Sequence, residues 1–119
     1  MLYSWKKRLF CASLFKGVMT MFKHLVLWRF SPQISSARQK VLISELNSRF
    51  RAMVGQVDGL LKAEVGQNLA SNSEYHMILY TVFTSRKAME AYQKHPLHLA
   101  VKKEMETIVC DRLPMDYEV

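Results

Sequence analysis

The chain is short of the residues that interrupt regular structure and of those that staple small secreted folds. Four glycines and three prolines in 119 residues exclude low-complexity and collagen-like sequence. No apolar run approaches the roughly 18 residues a membrane-spanning helix needs, so residues 21–119 are expected to have no membrane partner. The two cysteines, Cys11 and Cys110, stand far apart and form neither a CxxC pair nor a disulfide framework. A reducing compartment, the cytoplasm, is therefore the expected location. Acids are missing altogether before Glu45, and this absence accounts for much of the net charge of +7. Setting aside Lys6, Lys7, Arg8 and Lys16 leaves 13 of the 17 basic residues against 10 acidic ones from Met21 onward, a balance ordinary for a solvated surface.

What is present divides at Met21. Residues 1–20 place the basic cluster beside Leu9, Phe10, Leu14 and Phe15, and three readings stay open: a secretory signal without a clear cleavage site, an organelle-targeting or membrane-surface helix, or an upstream extension with Met21 as the natural start. Residues 21–119 read as one domain, with apolar content sufficient for a core.

Phe22 to Phe30 alternates as a strand, with Phe22, His24, Val26, Trp28 and Phe30 on one side and Leu25 and Leu27 among those on the other. Ser36-Ala37-Arg38-Gln39 reads as a capping box. The helix it opens has a buried stripe of Leu42, Leu46, Phe50, Met53 and Val57, and Gly55 and Asp58-Gly59 end it. A second strand is expected over Leu60 to Gln67, with Leu61, Ala63 and Val65 on one face. A third is expected over Glu74 to Thr84, with Tyr75, Met77, Leu79, Thr81 and Phe83 on one face and His76, Ile78, Tyr80 and Val82 on the other.

A second helix is expected from Arg86 to Lys94, with Ala88, Ala91 and Tyr92 inward. Pro96 then breaks the helix and restarts it, because the residue before a proline is biased away from helical geometry while proline suits a first helical turn. His98 shares the inward stripe of Val101 and Met105. A last strand, Arg112 to Val119, carries Pro114, which suits an edge.

The order strand, helix, strand, strand, helix, strand predicts an α+β fold with four antiparallel strands and the helices on one face. The other face, with Leu25, Leu27, Ile78, Tyr80 and Val82, would be an exposed apolar patch, and a second copy of the chain is its economical cover. The same strand order serves RNA-binding domains. The basic-Gly-aromatic pattern those carry is missing from Glu74 to Thr84, so no nucleic-acid partner is expected.

Four stretches carry a resemblance: Phe22-Lys23-His24-Leu25-Val26-Leu27, Tyr75 through Phe83, Ala91-Tyr92-Gln93-Lys94-His95-Pro96-Leu97-His98, and Asp116-Tyr117-Glu118-Val119. Together they resemble the stress-responsive dimeric α/β-barrel (Dabb) family over residues 21–119. The resemblance implies a ferredoxin-like β-α-β-β-α-β sandwich whose sheet packs on its twin's to form a dimeric α/β barrel. One member type, the plant polyketide cyclase that makes olivetolic acid, closes a ring by aldol condensation with imidazoles and a tyrosine. By that likeness His24, Tyr75 and His98 are the candidate catalytic residues, with Asp116 at a matching acidic position.

The residues themselves support an acid/base site. Imidazoles can take a proton from a carbon beside a carbonyl, a phenol can donate to the enolate oxygen, and a carboxylate such as Asp116 can orient His98. The expected partner is a small apolar or carbonyl-containing molecule in a pocket formed by Val26, Trp28, Met77, Val101 and Met105. A non-catalytic ligand-binding or structural dimer and a cofactor-free monooxygenase remain alternatives. No cofactor motif is present, and His95 and His98 lack the further ligands of a metal site. His76 is expected to face the dimer interface, and Cys110 to pack rather than react.

Overall fold

The computed structural model describes residues 20–119, so the readings for residues 1–19 lie outside it. Its elements in chain order are β1 (Phe22–Phe30), α1 (Ser36–Met53), β2 (Leu60–Gln67), β3 (Met77–Phe83), α2 (Arg86–Gln93), α3 (Pro96–Met105) and β4 (Val109–Glu118). The strands form one antiparallel sheet in the order β2-β3-β1-β4. This is the ferredoxin-like arrangement, with β1 and β3 central and Pro114 on an edge strand, where a missing amide donor is tolerated.

Alternation decides which face is buried. Along β1, Phe22, His24, Val26, Trp28 and Phe30 are buried, while the residues between them are partly exposed. Phe22, Val26 and Phe30 meet Leu79, Phe83, Tyr92 and the α1 stripe of Leu42, Leu46, Phe50 and Met53 in a single core. Each such side chain stabilises the fold by about 1.5–3 kcal/mol on burial. Leu61, Leu113, Met115 and Tyr117 are exposed, and register places Leu113, Met115 and Tyr117 on the open face opposite Leu27, Leu25 and Lys23.

Local chemistry sets the element ends. Ser35 caps α1, one residue earlier than expected. Its hydroxyl accepts from the Arg38 amide at 3.1 Å, and the Gln39 side chain donates to the Ile34 carbonyl. Ser85 caps α2 by accepting from the Ala88 amide. His95 caps α3, its Nδ1 accepting from the Leu97 amide at 3.1 Å, with Pro96 as the first helical residue. The glycine turns at Gly55 and Gly59 have φ of 92° and 79°, a region that disfavours a Cβ.

In β2, α2 and β4 the facing differs from expectation. The β2–β3 register shifts between Leu60 and Lys62, so Leu61 is the extra residue of a bulge; Leu60 takes the core position and Leu61 is exposed. In α2 the buried pair is Met89 and Tyr92, and Ala91 is exposed. Cys110 occupies the second bulge, opposite Arg29 and Phe30, and is exposed rather than packed.

Candidate functional site

A cavity of about 450 Å³ lies between the sheet and the helices. β1 contributes His24, Val26 and Trp28 to its wall, β3 contributes Leu79, and α1 contributes Phe50. The opposite side comes from Gln93 at the end of α2, then His98, Val101, Lys102, Met105 and Glu106 in and just after α3. Val109 and Arg112 of β4 complete it. Its size falls in the range of about 300–1,000 Å³ usual for small-molecule sites.

His24 enters the cavity because it is an even-numbered residue of β1, on the helix side with Val26 and Trp28. Its backbone is pinned by Thr81, a fully buried residue directly across the β1–β3 ladder, whose hydroxyl donates to the His24 carbonyl at 2.6 Å. On the other flank, His24 pairs in register with Asp116 of β4, and same-face neighbours at a paired position are close enough for their side chains to meet. The His24 Nδ1–H donates to Asp116 Oδ1 at 2.5 Å. That bond leaves Nε2 as the ring nitrogen available to a ligand.

His98 comes from the first turn of α3 and is half-buried. Its Nδ1–H donates to the Gln93 carbonyl at 3.2 Å, again leaving Nε2 free. Burial lowers its pKa below the usual imidazole value. The Gln93 carbonyl opposes that shift, while Lys102, His24 and Arg112 add to it. At neutral pH the ring is thus an uncharged base. The Tyr92 ring packs against it, with centroids 4.5 Å apart, and against Phe83 at 5.0 Å.

The structure gathers His24, His98, Val26, Trp28, Val101 and Met105 around one cavity, and separates other candidates from it. Asp116 holds His24 rather than His98, since β4 register sets it opposite His24. Tyr75 precedes β3, which begins at Met77, so no strand alternation directs it to the helix side. Its hydroxyl instead lies 3.4 Å from Asp111, in a polar group with Arg29 and Glu74. Partial desolvation, and then Asp111, raises its pKa. Met77 is wholly buried in the core and does not line the cavity. His76 does not extend from the open face either: its Nδ1 accepts from the Phe30 amide at 3.0 Å, and its ring stacks on Phe30. Among the described residues no three His, Cys, Asp or Glu converge as a metal site would require.

Sequence reasoning turns Tyr92 inward without assigning it to the site, and it does not single out Lys102 or Arg112. Tyr92 is the phenol in contact with His98, six residues before it in the same stretch. Lys102 follows His98 by four, the spacing that puts two helical side chains on one face. Arg112 stands across from Trp28 in the β1–β4 ladder, a relation only the register reveals.

Known structures share this architecture. A dimeric protein of unknown function and ferredoxin-like fold from Bacteroides fragilis is 25% identical, with 83% of this chain and 96% of that chain covered and a TM-score of 0.74. A Dabb family protein with a ferredoxin-like fold from Mesorhizobium loti is 21% identical over 83% of this chain and 96% of that one, with a TM-score of 0.65. Hydroxynitrile lyase from Passiflora edulis is 16% identical over 83% and 93% of the two chains, with a TM-score of 0.62. The last two likenesses concern the fold alone. No curated protein matches the chain. Residues 22–119 do match the stress responsive A/B barrel domain, Dabb, and with its antiparallel sheet and helices on one face the chain belongs to that family.

Proposed function

We propose that the chain acts as a homodimer joined through the open face of its sheet. Each protomer then holds a small, largely apolar carbonyl compound in its cavity and moves a proton at the carbon beside that carbonyl. Support for the dimer comes from the exposed Leu113, Met115 and Tyr117, next to the partly exposed Leu25, Leu27, Ile78 and Tyr80. Apolar faces of this kind mark partner surfaces, and a two-fold axis covers one with its own copy. The dimeric B. fragilis neighbour fits the same reading.

One observation carries the chemistry: two imidazoles line one apolar cavity, and each has its Nδ1–H committed to an acceptor. In this reading His98, uncharged at neutral pH, takes the proton at Nε2. His24, in its protonated form, donates from Nε2 to the developing enolate oxygen while Asp116 holds the other side of the ring. Tyr92 keeps the His98 ring in place. Tyr75 has no part, since its hydroxyl is directed to Asp111.

The test is deuterium entry at the carbons flanking the carbonyl of octan-2-one, followed by NMR in deuterium oxide with the full chain. Acceleration by the wild type and its loss by about 100-fold or more in His98→Ala is the expected result, the scale of one general base. If octan-2-one binds without accelerated exchange, the protein is a binding module. If it does neither, the ligand cavity reading fails.

A further inference from the structure

The cavity is apolar at its floor but carries charge at its mouth, and that charge is unbalanced. Lys102 and Arg112 both line it, one from α3 and one from β4, and neither takes part in an ion pair among the described residues. The acids that could neutralise them are engaged elsewhere: Glu104 with Arg49 of α1, Asp116 with His24, and Asp111 with Arg29. Glu106 alone among the acids lines the cavity, leaving two cations against one anion there. Both cations line the same cavity as His98, and their charges add to the lowering of its pKa.

We propose that the ligand is an amphiphile with a single carboxylate, its apolar body against Val26, Trp28 and Phe50 and its carboxylate between Lys102 and Arg112. The proposal deepens the ligand-cavity reading above and rests on it. A neutral ligand would leave both cations of the lining without a counter-charge, whereas a carboxylate offers two acceptor oxygens, one for the ammonium and one for the guanidinium. A dianionic head gains less, because Glu106 stands on the same rim. Lys102 lies in the last turn of α3, where a cation is also favoured by the helix dipole. That explanation does not reach Arg112, which is on a strand.

Three probes of matched length separate the terms: octanoate, octan-1-ol and octylamine, titrated calorimetrically into the full chain. Octanoate is expected to bind about tenfold more tightly than octan-1-ol, the effect of two partly exposed ion pairs. Lys102→Gln/Arg112→Gln should reduce that ratio to about one, with thermal unfolding as the check on its fold. Raising salt should erode the ratio for the wild type alone, because exposed charges are screened. The salt series therefore decides the matter even if the double variant does not fold. Equal binding of octanoate and octan-1-ol, a salt-insensitive preference, or tighter binding of octylamine overturns the proposal while leaving the cavity reading intact. Binding of none of the three overturns both.

Discussion

Replacing Tyr92 by Phe should make the protein more stable, which is the opposite of the usual result for a buried tyrosine. Tyr92 is fully buried, and its hydroxyl has no hydrogen-bond partner among the described residues. Burial also pushes its pKa well above the ordinary phenol value, so the group stays protonated and uncharged. An unpaired buried hydroxyl costs about 1–3 kcal/mol by mutational measure. The ring itself would keep its contacts with Phe83 and His98, since phenylalanine has the same ring. The net gain should be about 1–2 kcal/mol, which for a domain of this size is a rise of roughly 4–8 °C per kcal/mol in Tm. Urea unfolding at one fixed protomer concentration is the assay, because dissociation of the proposed dimer would make apparent stability depend on concentration. Tyr75→Phe, at a partly exposed hydroxyl, serves as the control and should shift stability by less than about 0.5 kcal/mol. A partnered hydroxyl contributes about 0.5–1.5 kcal/mol, so a Tyr92→Phe protein less stable than wild type would refute the reasoning by its sign alone.

Gly59→Ala should be far more damaging than Gly55→Ala. Both glycines have positive φ, which costs an alanine about 1–2 kcal/mol, but a Cβ at Gly59 would lie 2.6 Å from the Ala88 Cβ and 2.9 Å from the Thr84 hydroxyl, while at Gly55 it meets nothing within 4 Å. Denaturant midpoints should show Gly59→Ala losing about 2–4 kcal/mol when crowding is added to strain. Stability should also fall on acidification through a window set by His98. Its folded pKa is below the unfolded value of about 6.5, so the unfolded chain binds the proton first and stability declines as pH drops below that value toward the folded pKa. Urea midpoints from pH 8 to 5 should fall less steeply for His98→Gln, and equal slopes would remove His98 as the cause. On the open face proposed as the dimer surface, Met115→Lys should yield monomers in light scattering at micromolar concentration, since it would bury a charge there; an unchanged dimer would place the interface elsewhere.

Much of this was legible in the sequence because alternation is a robust signal. The even positions of β1 from Phe22 to Phe30 are all buried, as the pattern demanded, and the α1 stripe from Leu42 to Met53 faces the core at intervals of three and four. The Pro96 break and the inward turn of His98 also followed from local chemistry. Other features depend on relations between distant strands, on where a strand begins or on charged positions. Asp116 lies 92 positions from His24, and only the β1–β4 register makes them neighbours. Leu61 faced the wrong way because one bulge residue reverses a period-two pattern from that point on. Alternation extended back to Tyr75 points it to the cavity side, but β3 begins two residues later, so the alternation does not reach it. Lys102 is invisible to an apolar-stripe pattern, which does not register charged residues on the same helical face.

The interruption between α2 and α3 has a consequence for His98. In an unbroken helix the Leu97 amide would donate to the carbonyl of Gln93, four residues earlier. Here that amide turns instead to His95 Nδ1, and the Gln93 carbonyl it vacates is taken up by His98 Nδ1. The identity of the free nitrogen on His98 is therefore written in the main chain: a discontinuity in the backbone ladder supplies the spare acceptor that fixes the tautomer. A variant that mended the helix, such as Pro96→Ala, would return the carbonyl to Leu97 and deprive the imidazole of its reference, repairing secondary structure at the expense of proton placement.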